Sequence, residues 1–146
     1  MHQLIKQRIK NEKGLTLIEL LAVIVILGII AAIAIPSISG IIQKSREDAV
    51  KSEAITIINA AKNYVAANGL PEDGTDTIEE EDLKEFISDT KFQGKGYSVD
   101  VNGTAYSFTS SAVKVGKYDL TFNAATIQNI NNDKDTGKTR TIGKSS

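Results

Sequence analysis

Apolar positions are distributed very unevenly along the chain. Residues 15–35 form an apolar run of 21 residues, broken only by Thr16, Glu19 and Gly28. As a helix this run spans about 30 Å, the thickness of a bilayer's hydrocarbon core. Beyond Pro36 the pattern becomes periodic. Ile38, Ile41, Ile42, Ser45, Ala49 and Ser52, then Ile55, Ile58, Ala61 and Val65, follow the three-four spacing of a helix. Lys44 with Asp48 and Glu47 with Lys51 form i,i+4 charge pairs, which assigns them to the solvated side. Ile57 and Tyr64 add a second apolar stripe to the upper half, enough for one face toward the chain's own domain and one toward neighbours. Asn68-Gly69, with Pro71 just after, is the stop. Gly28 and Pro36 are the expected bends, because proline lacks the N–H and crowds the preceding turn. Residues 15–68 as one helix would reach roughly 80 Å, too long for a compact domain of this size. The first half must therefore pack against something other than its own domain.

The remainder has a different period. A polar loop over residues 71–77 leads to a short helix predicted over residues 79–88, with Leu83, Phe86 and Ile87 inward. Tyr97-Ser98-Val99-Asp100-Val101 alternates, Asn102-Gly103 is a two-residue hairpin turn, and residues 105–109 return. Residues 112–115 and 118–122, joined by Gly116-Lys117, predict a second hairpin. Residues 125–130 and 139–142, around a loop over 131–138, predict a third. The sum is an α+β chain with a long helix packed on a small antiparallel sheet. The expected divisions are residues 1–14, 15–35, 36–69 and a β-rich domain over 70–146.

Charge adds a direction. The chain carries a formal charge of -1, yet its first fourteen residues alone carry +3 and the rest -4. Lys6, Arg8, Lys10 and Lys13 before an apolar run form a targeting pattern that holds this end in the cytoplasm and places the C-terminal part outside. The balanced total gives no reason to expect a nucleic-acid partner. There is no cysteine, and the only histidine is His2. Without the leader the chain lacks the residue types that supply most metal ligands and nucleophile–base pairs, which argues against an enzyme. Glu19 stands out, because a carboxylate in an apolar helix costs about 2–3 kcal/mol and needs water, a proton or a partner.

Three other motifs carry less. Asp135-Thr136-Gly137-Lys138-Thr139 ends like a phosphate-binding loop, but Asn132 stands where the first glycine belongs, and too few residues follow for a helix. Residues 131–137 superficially resemble a calcium loop, with the glycine one position late and no closing glutamate. Glu79-Glu80-Glu81-Asp82 suits the start of a helix and needs no ligand.

Gly14 at the end of a basic leader, Glu19 fifth from Leu15, Gly28, and Pro36 twenty-second form one register. In this it resembles the type IV prepilins and the pseudopilins of secretion and competence machines. The resemblance covers residues 13–38 and implies a pilin-like fold without cofactor or metal. It implies cutting by a prepilin peptidase between Gly14 and Leu15 and methylation of the new amine on Leu15. It also implies a homo-oligomeric filament in which Glu19 pairs with that amine on a neighbouring subunit. The implied course is a single-pass precursor in the cytoplasmic membrane, then a surface pilus raised by an assembly platform and a separate ATPase. Adhesion, twitching, DNA uptake and secretion all fit such a filament, while a DNA or host-surface ligand is not indicated. Leu15 departs from the usual phenylalanine, which bears on methylation, and no cysteine-closed loop is present. Two rival readings remain at this stage. A signal-anchored surface module would share the helix but have no use for Glu19, and a secreted enzyme would be cut near Ala32-Ile33-Ala34.

Overall fold

The first helix, α1, runs His2–Asn68. The structure, a computed structural model, describes residues 16–72 and 74–144 and the helical backbone of residues 2–15. Helical assignment passes without interruption through Gly28 and Pro36. Proline removes the N–H that would reach the Ala32 carbonyl, and just beyond it the Ser39 hydroxyl donates to the Pro36 carbonyl at 2.9 Å. The far end closes as the sequence predicts. Gly69 adopts φ +79° and donates its N–H to the Val65 carbonyl at 2.9 Å, the left-handed cap that glycine takes at least cost.

Five strands follow: β1 (Thr77–Glu79), β2 (Ser98–Asn102), β3 (Ala105–Val115), β4 (Tyr118–Ala125) and, after a one-and-a-half-turn helix α2 (Ile127–Asn132), β5 (Arg140–Gly143). They form one sheet in the order β1-β2-β3-β4-β5. The chain is α+β, as expected, but its sheet is mixed. β1 to β4 pair antiparallel, whereas β5 lies parallel to β4. A parallel neighbour cannot be reached by a tight turn, and α2 supplies the crossover. The strand expected over residues 125–130 is therefore largely this helix. Thr126 starts it with a capping box, its Oγ1 accepting from the Asn129 N–H and the Asn129 side chain accepting from the Thr126 N–H.

Three further expectations are corrected. Residues 79–88 form β1's last residue and a series of turns, not a helix. Acidic side chains there serve backbone donors instead: Asp82 accepts from the Glu79 N–H at 3.0 Å, and Glu80 accepts from the N–H groups of Gly94 and Gly96 at 2.6 and 3.2 Å. Leu83 is buried, but Phe86 remains 39% exposed. The two strands expected over residues 105–115 are one, because register shifts on either side of Ser110 insert extra residues while pairing continues. The first hairpin loop also falls one residue later, at Gly103-Thr104, since Asn102 pairs with Ala105.

The core joins one face of the sheet to α1 through Val50, Ala54, Ile57, Ile58 and Ala61. Phe92 is its centre, standing edge-on to Phe108 at 5.0 Å and to Phe122 at 5.5 Å, the arrangement that ring quadrupoles favour. The chain resolves into two compact units, Met1–Ile41 and Ile42–Ser146. The first is helix alone; the second holds the rest of α1 and everything after it.

Candidate functional site

The first unit exposes what a water-soluble domain would bury. Leu17, Ile18, Leu20, Leu21 and the isoleucines, leucines and valines up to Ile35 are all more than half exposed. The most apolar window of the helix has a mean hydropathy of 3.0 and none of it is buried within the structure. A continuous bare surface of this kind requires lipid or other apolar helices around it. Glu19 lies on this segment, exposed, and makes no ion pair among the described residues. Gly28 is equally open, since a Cβ there would meet nothing within 4 Å. The junction residues Gly14 and Leu15 lie outside the residues whose side chains are described.

Residues 9–35 match the prokaryotic N-terminal methylation motif. The chain carries a type IV prepilin-like leader. The match covers the end of the leader and the apolar helix, and a motif of this type implies processing by a prepilin peptidase and filament assembly in general. The apolar helix and the motif together fit a membrane-anchored precursor. No curated protein and no solved structure matches the chain.

The second unit holds a charged cluster that the i,i+4 charge pairing does not reveal. Glu47 is fully buried and Lys51 nearly so, and they do not pair with each other as the i,i+4 spacing suggests. Glu47 accepts from Arg140 Nη1 at 2.9 Å, from the Gly137 N–H at 3.0 Å and from Gln43 Nε2 at 2.9 Å. Arg140 turns its Nε and Nη2 to the two oxygens of Asp133, at 3.1 and 2.7 Å. Lys51 reaches the same carboxylate at 2.6 Å and the Asp133 carbonyl at 2.8 Å. Gln43 also donates to the Val115 carbonyl at 2.8 Å, which ties the β3–β4 turn to the same stretch of helix.

Burial works to raise the carboxyls of Glu47 and Asp133. The hydrogen bonds and charges of Arg140, with Gln43 and Gly137 on one and Lys51 on the other, outweigh it and hold both below the usual range. For Arg140, burial works against its charge, and the two carboxylates more than restore it, so its affinity for the proton rises. Glu47, Asp133 and Arg140 are therefore all ionised at neutral pH.

This cluster changes the reading of residues 131–139. The Asp133 oxygens serve Arg140 and Lys51, Asp135 pairs with Lys138 at 2.7 Å, and the Gly137 N–H serves Glu47. Among the described residues no group of three or more acidic, histidine or cysteine side chains is placed to hold a metal ion. One signal for the cluster was present in the sequence. Gln43, Glu47 and Lys51 recur every four residues in phase with Val50, Ala54 and Ile58, so they share the buried stripe.

Proposed function

We propose that this chain is a structural subunit of a type IV pilus or pilus-like filament. In this reading a prepilin peptidase cuts between Gly14 and Leu15 and the amine of Leu15 is methylated. Subunits leave the membrane and polymerise through the helix of residues 15–68, with the second unit displayed outward for adhesion, motility or DNA uptake. One observation carries the reading: the segment matched as the methylation motif is the segment whose apolar side chains the fold leaves bare. A peptidase that exposes an amine four residues before Glu19 also gives that carboxylate a partner. Pairing in an apolar bundle recovers a few kcal/mol even at an effective dielectric near ~20.

Intact mass of the chain recovered from cells tests the processing step. The expected species begins at Leu15, with or without one methyl group; a species beginning near Ala34 would rule the reading out. Glu19→Ala tests assembly in the same preparation. Its expected outcome is normal membrane insertion with filaments lost, and filaments at the native level would remove the pairing mechanism.

A further inference from the structure

Two surfaces of the second unit take no part in the steps above, and their chemistries are complementary. One is a cleft of about 450 Å³ between α1 and the α2–β5 connection. Ile55 and Ile130 supply its apolar lining, and Lys44, Asp48, Lys134 and Thr136 its exposed polar one. Lys51 and Asp133 also line it but neutralise each other. Two lysines thus face a single uncompensated carboxylate, beside an apolar floor.

The other surface follows β1. Residues 72–89 hold nine of the chain's 18 acidic residues and one lysine. Glu81, Glu85 and Asp89 are exposed there, Glu81 in a solvent-exposed ion pair with Lys84 at 2.9 Å that a partner lysine can replace at little cost. Among them stands Phe86, 39% exposed, its ring edge-on to Tyr64 at 5.8 Å. A partly bare aromatic ring set among carboxylates matches an apolar floor set among lysines. The two surfaces are kept apart within one chain. α2 packs on β4 and β5, so the cleft belongs to the β5 side, and β1 and β5 are opposite edges of the sheet, about 19 Å apart at ordinary strand spacing.

We propose that the acidic segment around Phe86 of one copy docks in the Lys44–Lys134 cleft of a second copy. Phe86 meets Ile55 and Ile130, while Glu81 and Glu85 meet the two lysines. The occupant is a second copy because the complementary charge and the aromatic anchor are both present on this chain, beyond reach of its own cleft. Donor and acceptor surfaces differ, so the contact is heterologous and repeats from copy to copy instead of closing as a two-fold dimer. Exposed ion pairs add little cohesion one by one; their role here is to select orientation and register. The contact rests on the filament reading, in which apolar helices supply the cohesion.

The test uses full-length chain assembled by cells. The sequence contains no cysteine, so Glu85→Cys with Lys134→Cys offers only engineered thiols. Oxidised filaments should give a ladder of covalent dimers, trimers and larger species, and neither single variant should pass a dimer. In parallel, Glu81→Lys with Glu85→Lys should lower filament yield about tenfold by placing like charges together, and adding Lys44→Glu with Lys134→Glu should restore it. Restoration also shows that the reversed chain folds. Native yield from the first pair together with no ladder overturns the docking alone. Absence of filaments from the unaltered chain overturns the filament reading and this contact together.

Discussion

Arg140 contacts three residues through one guanidinium: the buried Glu47, both oxygens of Asp133 and the Lys138 carbonyl at 3.2 Å. Removing it strands a fully buried carboxylate with only neutral donors. Arg140→Ala should cost about 3–5 kcal/mol, because an unpaired buried charge is left behind. Glu47→Gln should cost roughly half of that or less, since Arg140 keeps Asp133 and the amide oxygen still accepts from Gly137. Urea unfolding of the detergent-solubilised chain, followed by the fluorescence of its four tyrosines, checks the order of the two. Equal costs would mean that the ion pair is incidental to the hydrogen bonds. At this scale the methylation motif over residues 9–35 was legible, because its meaning lies in position relative to an apolar run. Glu47 and Arg140 were not, because their partners are 93 residues apart and a charge on a helix reads by default as solvated.

Among the elements, α1 was readable in extent, and its expected stripe through Ile55, Ile58, Ala61 and Val65 does face the core, but the rotation was misread over residues 38–52. The stripe through Ile38, Ile41, Ile42, Ser45, Ala49 and Ser52 is exposed, and the buried one runs through Glu47, Val50, Lys51, Ala54, Ile57, Ile58 and Ala61. Charged residues on the buried stripe displaced the apparent phase by about a residue's rotation. The sheet's first hairpins announced themselves through alternation and glycine turns. β5 was expected as a strand over residues 139–142, but its parallel pairing to β4 was not legible, since that is decided by the α2 crossover and by Arg140, neither of which has a local pattern. Gly143 makes that last strand possible. It adopts φ +113°, and a Cβ there would collide with the Asn123 carbonyl oxygen and crowd the Ala125 Cα. Backbone cannot yield as a side chain can, so Gly143→Ala should cost about 2 kcal/mol or more through strain. It should also raise amide exchange at Lys144, whose N–H donates to that carbonyl at 2.9 Å. At Gly116 the obstacle is the flexible end of Gln43, so the same replacement there should be milder.

For the second unit as a whole, the C-terminal segment is bound to α1 by ionised groups as well as by the apolar Ile130 and Ile142, which makes its attachment depend in part on acid. Burial opposes ionisation of Glu47 and Asp133, but Arg140, Lys51 and their hydrogen bonds prevail and hold both carboxyls below the ordinary range. In the unfolded chain these carboxyls return to values near ~4. Protons are thus bound more tightly by the unfolded state, and stability falls as pH drops. The contribution is complete above about pH 5 and is lost progressively below about pH 4, as the folded values are approached. Arg140 keeps its charge throughout, so acid removes its acceptors and leaves a buried cation. The expected result is a fall in the urea midpoint between pH 6 and pH 2 that is larger in the unaltered chain than in Glu47→Gln with Asp133→Asn, whose amides do not titrate. Other carboxylates are common to both chains, so the difference isolates these two. Salt separates this from surface electrostatics. At about 1 M, screening is nearly complete beyond ~3 Å in solvent, yet the buried cluster should retain most of its contribution at pH 7. If high salt at neutral pH lowered the midpoint as far as acid does, the clamp would be a surface effect and the burial of Glu47 would carry no energetic weight.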